Sequence, residues 1–185
     1  MAGAEEIAAH ELADWIASAD PVPGSGWVAG LTGALAASLV AKSAARSDGW
    51  SEAEGARAQA LELRDRLLAL AGQDARAYER ALTALERRDV GLARALARAA
   101  EVPLAIAETA ADAALLAAEG AERADGSARA DAAAAACLAS GAATAAHRLV
   151  EVNLATIGED ERLTRAKQAD DAALEAAKRA LAAEF

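Results

Sequence analysis

Residues 21–46 read PVPGSGWVAGLTGALAASLVAKSAAR, and this stretch decides the fold. It opens with the most turn-rich segment of the chain and then runs without a charge as far as Ala41. From Trp27 onward it predicts a helix in which small residues recur every three or four positions: Gly26, Gly30, Gly33, Ala37 and Ala41. One face of this helix therefore carries almost no side chain, and another helix can pack against it at close range.

The uncharged run from Pro21 to Ala41 is long enough to span a bilayer. Its prolines and glycines, however, leave only residues 27–41 for a helix, which is too short to span. The sequence therefore predicts a buried helix and no membrane partner.

The composition indicates an all-α fold. Alanine supplies 61 of the 185 residues, and aromatic residues only 3%. Alanine is the best helix former and a poor strand former. The length suits one domain, 1–185, and the apolar periodicity predicts a single bundle of about six to seven helices. Their predicted spans are 4–18, 27–46, 51–87, 92–100, a helix that ends near Gly120, 130–157 and a last helix that ends near Ala183. Pro103 either lies in the first turn of the helix that ends near Gly120 or kinks a continuous helix, and Ser51 with Glu54 is expected to form a capping box at the start of 51–87. The connections are short, which favours antiparallel neighbours.

A core made mostly of alanine buries little apolar surface per residue and is a thin source of stability. We therefore expect a homo-oligomer, with the homodimer as the favoured state. The net charge of −10 disfavours binding to nucleic acid or to anionic membranes. With one cysteine, Cys137, and an acidic N-terminus, the chain is expected to be cytoplasmic.

Three places could carry chemistry. The loop Pro21–Trp27 leads into a helix N-terminus, where free amide groups favour an anion, although a plain tight turn explains the same residues. Asp74 and Tyr78 form an i,i+4 pair. Asp131 stands near a helix start, where a carboxylate is favoured by the dipole with or without a catalytic role. Asn153 lies on the same helix as Asp131, about 33 Å away, so the two cannot flank one small substrate within a protomer.

Metal binding has weak support in the sequence. Glu6, His10 and Asp14 share one helical face, and Thr144, His147 and Glu151 share another. Solvated i,i+4 pairs are the simpler interpretation of both sets. Cys137 follows five alanines and is predicted to be a small core residue.

Taken together and in this order, these segments resemble the formiminotransferase-cyclodeaminase C-terminal family, which includes the methenyltetrahydrofolate cyclohydrolases. The family's Pro-x-Pro-Gly-Gly-Gly-Ser loop is similar to residues 21–27, and its Asp with an aromatic residue four positions on is matched by Asp74 and Tyr78. Its Val-Pro-Leu motif is matched at 102–104, and its Ser-Asp and Asn-Leu motifs are matched in part by Ala130-Asp131 and Asn153-Leu154.

The resemblance implies an all-helical oligomer that acts on a tetrahydrofolate without a metal or another cofactor. It implies catalytic roles for Asp131, Asp74 and Asn153. The implied substrate-binding residues are Pro23, Gly24, Ser25, Gly26, Trp27 and Tyr78. The reaction would open the methenyl bridge with water, or close a formimino group with loss of ammonia. In both, a carboxylate could stabilise the cationic carbon or move a proton, and an amide could position water or a ring nitrogen.

Six positions depart from the family pattern, namely Ser25, Trp27, Ala124, Asp125, Ala130 and Leu149. Trp27 adds a large indole to the loop, and Leu149 stands where the family has Asn. Two further interpretations therefore stay open. One is an enzyme that forms or opens a ring at an iminium or amidine carbon of a different substrate. The other is a helical scaffold without catalysis.

Overall fold

A computed structural model describes residues 3–86, 92–155 and 159–183 of the chain. In these ranges the protein is entirely helical, which confirms the predicted fold class. The described residues form seven helices, α1 Gly3–Ala17, α2 Ser25–Ala45, α3 Ala53–Glu86, α4 Leu92–Ala99, α5 Glu101–Arg123, α6 Gly126–Leu154 and α7 Glu161–Ala182.

Two details of the helices differ from the sequence prediction. Helix α6 spans Gly126–Leu154, so it begins and ends earlier than the predicted span of 130–157. Ser51 does not form the expected capping box with Glu54, because its hydroxyl donates to the side chain of Glu52 at 2.7 Å. Helix α5 begins at Glu101, so Pro103 lies in its first turn, which was one of the two predicted alternatives.

The glycine-rich face of α2 packs directly on α3. A Cβ on Gly30 would lie 2.9 Å from the Cβ of Ala71, and one on Gly33 would lie 3.2 Å from the side chain of Leu67. The two backbones therefore approach more closely than larger residues would allow, as the spacing in α2 predicted. Along the contact the residue numbers rise on α2 as they fall on α3, so the helices are antiparallel.

Helix α2 lies among α3, α5 and α6. By length and composition alone it could cross a membrane, and it is the one such helix in the described ranges. Its most apolar window is 56% buried inside the bundle. The packing of α2 therefore accounts for its apolar composition.

Three neighbouring pairs of the bundle run antiparallel, namely α2 with α3, α5 with α6 and α6 with α7, but not every neighbouring pair does. Arg165 pairs with Glu108 at 2.7 Å and Arg179 pairs with Glu122 at 2.9 Å. Both pairs join residues 57 positions apart, so α5 and α7 run in the same direction. This follows from the antiparallel packing of each on α6, which lies between them in sequence.

A polar cluster lies in the alanine core between α6 and α7. The Nδ1 of His147 shares a hydrogen bond of 2.9 Å with Asp170, and the hydroxyl of Thr144 donates to the same carboxylate. His147 and Asp170 are both buried. The interpretation of the Thr144, His147 and Glu151 face as solvated was therefore wrong for His147, which is held in place by a residue from α7.

Helix α1 stands apart from the bundle. It does not pack along any other helix of the described residues, and Trp15 makes an edge-to-face contact with Trp27, with ring centroids 5.5 Å apart. Trp15 stays 46% exposed. Cys137 on α6 is also exposed, so its prediction as a core residue was wrong.

Candidate functional site

A cavity of about 270 Å³ opens between the 21–26 loop, α3, α5 and α6. Six of its lining residues were predicted site residues, namely Gly24, Ser25, Gly26, Asp74, Tyr78 and Asn153. The others are Pro21, Pro103, Leu149 and Val152. The cavity thus joins three segments that are far apart in the sequence.

Of the described residues that line this cavity, Asp74 is the one with a carboxyl group. Its side chain lies against the Cα of Gly26, so close that a Cβ at position 26 would overlap the carboxyl group. Burial raises the pKa of Asp74 above its ordinary value, and a hydrogen bond from the backbone N–H of Trp27 opposes that rise. The cavity therefore contains a partly desolvated carboxyl group whose position is fixed by the glycine loop.

The N-terminus of α2 is occupied by this carboxyl group. The loop was predicted either to bind an anion or to be a plain turn, and a side chain of the same chain lies where the anion would bind. Gly24 caps the helix in an extended conformation, and its carbonyl accepts from the N–H of Val28 at 3.2 Å. The positive end of the helix dipole therefore acts on Asp74 first.

Tyr78 and Asn153 line the same cavity as Asp74. Tyr78 follows Asp74 by one turn of α3 and is 45% exposed, so its ring stands at the rim. Asn153 lies in the last turn of α6 and is half-buried. A phenol, an amide and a carboxyl group thus face one small space.

The structure places Pro23 and Trp27 beside this cavity. Pro23 is buried and lines a separate apolar groove between α2 and α6, next to Val28. The indole of Trp27 packs against Trp15, and only its backbone N–H reaches Asp74. Trp27 is not among the described residues that line the cavity. The substrate-binding roles of Pro23 and Trp27 stay predictions.

Asp131 is not brought together with Asp74 and Asn153. It lies at the start of α6, where its carboxylate is 2.8 Å from the Nζ of Lys42 and 3.8 Å from a guanidinium nitrogen of Arg46. Helix α6 runs unbroken from there to Asn153, about 33 Å away at 1.5 Å per residue. The ion pair explains the charge at this position, and the catalytic role of Asp131 stays a prediction.

Four lining residues were not among the predicted site residues, namely Pro21, Pro103, Leu149 and Val152. Pro21 belongs to the 21–27 loop and Pro103 to the Val-Pro-Leu motif at 102–104. An apolar side chain in a sequence does not by itself indicate that it lines a cavity. Val152 is 69% exposed, which the sequence of an alanine-rich helix does not indicate.

The side chains that the structure describes contain no group of three or more metal-ligating residues. His10 lies 3.5 Å from Asp14 on the exposed surface of α1, and the side chain of Glu6 falls outside the described residues. His147 is already bound to Asp170.

Fold and cavity together define a protein that is helical over its described ranges and has a cavity built around a half-buried carboxyl group. The family model described as formiminotransferase-cyclodeaminase matches residues 8–172, and the chain belongs to this family. A search of curated protein sequences gave no match.

Among solved structures, the chain is similar to the formiminotetrahydrofolate cyclodeaminase of Thermotoga maritima. The two are 25% identical in sequence, the match covers 92% of each chain, and the TM-score is 0.82. The resemblance drawn from the motifs is thereby confirmed.

Proposed function

We propose that the chain is an enzyme acting at the cationic one-carbon centre of a tetrahydrofolate, as a cyclodeaminase or a cyclohydrolase. The observation that carries the proposal is the cavity in which Asp74, Tyr78 and Asn153 meet. Membership in the formiminotransferase-cyclodeaminase family supports the same substrate class. Cytoplasmic location is part of the proposal, since folate chemistry of this kind belongs with soluble enzymes.

Both reactions need a group that moves a proton beside a positively charged carbon. In hydrolysis, water attacks the methenyl carbon and gives one proton to the carboxylate of Asp74. The bond from that carbon to N5 then breaks, the remaining O–H proton is lost as the formyl C=O forms, and N5 takes a proton. In cyclodeamination, N10 attacks the formimino carbon and gives its proton to Asp74, the imino nitrogen takes two protons, one of them returned by Asp74, and ammonia leaves as the methenyl cation forms. A carboxylate in a partly buried site also stabilises the cationic carbon. We assign Asn153 to positioning the water or a ring nitrogen.

A second candidate is ring formation or opening at an iminium or amidine carbon of another substrate. The specific observation is Leu149, which lines the cavity where the family resemblance implies Asn. Loss of one amide removes a hydrogen-bonding group that a pterin ring could use, and it favours a less polar ligand. Replacing Leu149 with Asn should raise folate turnover if this candidate is correct.

The first experiment mixes the purified protein with 5,10-methenyltetrahydrofolate and follows the loss of its near-ultraviolet absorbance. A parallel reaction contains 5-formiminotetrahydrofolate and measures released ammonia. We expect turnover in one of the two, and unchanged turnover after dialysis against EDTA because the proposed chemistry needs no metal. Rates no higher than the uncatalysed rates in both assays would contradict the folate proposal. Loss of activity after dialysis against EDTA would contradict the proposal that the reaction needs no metal.

We also propose that the chain acts as a homodimer. Support comes from α6, whose exposed side is small and apolar, with Ala134, Leu138, Gly141 and Ala145 in a row, next to exposed Leu35 on α2. A face of this kind is typical of helix packing between subunits.

Sedimentation equilibrium should give twice the chain mass of 18.7 kDa. Leu138→Lys should give the monomer mass, because burying an unpaired ammonium at an interface is costly. The matched variant Leu181→Lys alters a 63% exposed leucine on α7 and should remain a dimer. A wild-type protein that sediments as a monomer would contradict the proposal.

A further inference from the structure

A second cavity, of about 450 Å³, lies between α3, α4 and α5. The polar side chains that line it are Gln73, Arg80, Arg98 and Glu101. It is larger than the cavity around Asp74, and no predicted site residue lines it.

The two cavities are neighbours across α3 and α5. Gln73 and Ala77 line the second cavity, and the residues that follow them, Asp74 and Tyr78, line the first. On α5, Val102 lines the second cavity and Pro103, the next residue, lines the first. Consecutive helical residues point about 100° apart at nearly the same height. The cavities therefore lie side by side, at the same level of the bundle.

Two guanidinium groups face the second cavity in a chain whose net charge is −10. Arg80 donates through Nε to the carbonyl of Arg76 at 3.0 Å, which leaves its terminal nitrogens for another acceptor. Within the described part of the chain, neither Arg80 nor Arg98 forms an ion pair. Among the described residues that line the cavity, Glu101 is the one acidic group, and the two arginines outnumber it.

We propose that this second cavity binds the carboxylates of the substrate's acidic tail, while the cavity around Asp74 holds its reacting ring. The inference rests on the proposed folate function, because a folate carries a glutamate whose two carboxylates lie well away from the ring. The first cavity, at about 270 Å³, holds only part of such a molecule. Arginine is the side chain best suited to bind carboxylates, because its planar fork donates two parallel hydrogen bonds.

The test is a set of calorimetric titrations with 5-formyltetrahydrofolate, a stable folate, and with its analogue in which both tail carboxylates are carboxamides. The analogue has the same size and ring but no tail charge. We expect the wild-type protein to bind the analogue roughly tenfold more weakly than the acid. The double variant Arg80→Gln/Arg98→Gln should bind the acid about tenfold more weakly than the wild-type protein does. The acid and the analogue should then bind this variant with equal affinity.

Two further variants separate the cavity from general charge effects. Arg57→Gln/Arg64→Gln removes the same charge from the amino-terminal half of α3 and should leave both affinities unchanged. Glu101→Gln removes the opposing carboxylate and should tighten binding of the acid but not of the analogue. Circular dichroism confirms that every variant is folded.

The outcomes distinguish the two proposals. Equal wild-type binding of acid and analogue would overturn the tail site and leave the folate function standing. A tenfold preference that persists in Arg80→Gln/Arg98→Gln would also overturn it, because the charge would be recognised elsewhere. Failure of the wild-type protein to bind either ligand would overturn the folate function and the tail site together.

Discussion

Asp74→Asn should abolish most of the activity without unfolding the protein. We expect kcat/KM to fall by roughly a hundredfold to ten-thousandfold, the range for loss of a positioned acid–base group. An asparagine can still accept the hydrogen bond from the Trp27 N–H, and it fits the same space beside Gly26. The loss would therefore come from the missing carboxylate. The measurement is steady-state kinetics with whichever folate the wild-type protein turns over.

The pH dependence follows from the direction of the Asp74 pKa shift. Burial raises this pKa, so a reaction that needs the carboxylate should lose kcat/KM as the pH falls through a value above 3.8, the ordinary pKa of the group. Asp74→Asn should lack this acidic limb. If kcat/KM still falls at low pH in Asp74→Asn, the fall is due to the titration of another group.

As the pH rises, the free energy of unfolding should change in the opposite direction from kcat/KM. Because the folded-state pKa of Asp74 is raised, the native state binds more protons than the unfolded state between the two pKa values. The contribution of Asp74 to the free energy of unfolding therefore falls as pH rises through that interval, and at neutral pH the buried charge is a cost. Asp74→Asn should leave the urea midpoint at pH 7 unchanged or raise it.

The matched control is Asp112→Asn on α5. Burial also raises the pKa of Asp112, but this residue does not line the cavity. We expect full activity from this variant. Equal losses in the two variants would show that the substitution acts through the fold or the net charge, and would remove Asp74 from the proposed mechanism.

The positions of the helices could be predicted from the sequence, because helix propensity and apolar spacing depend on residues that are close in the chain. Which face of each helix is buried was predicted poorly. In α6, alanines cover almost the whole circumference, so no apolar stripe distinguishes inside from outside, and Cys137 was assigned to the core although it is exposed. His147 was misread for a related reason, since its partner Asp170 lies on another helix.

The candidate site was predictable as a set of motifs but not as a geometry. The spacing of Asp74 and Tyr78 places both on one face of α3, which a sequence can indicate. The contact of Asp74 with Gly26 joins residues 48 positions apart and depends on how α2 packs on α3. Asp131 shows the converse case, and its catalytic role stays a prediction. A carboxylate at a helix start is a sound pattern, and here Lys42 and Arg46 neutralise it far from the cavity.

Gly26→Ala should damage the site more than the fold. The added Cβ would overlap the carboxyl group of Asp74, so the side chain must rotate away from the N-terminus of α2. A misplacement of about 1 Å in a reacting group can reduce activity by about a hundredfold, and we expect at least that loss in kcat/KM. The atoms that must move belong to the end of one side chain, and alanine is the better helix former, so the urea midpoint should shift little.

Gly55→Ala is the matched control, because a Cβ at that position of α3 meets no atom within 4 Å. It should keep full activity and gain about 0.5–1 kcal/mol in the free energy of unfolding from helix propensity. The double variant Gly26→Ala/Asp74→Asn tests the coupling directly. If Gly26 matters because it makes room for the carboxylate, the alanine should cost far less activity in the asparagine background than in the wild type. Fully additive losses would mean that Gly26 acts on the substrate or the loop by a route independent of Asp74.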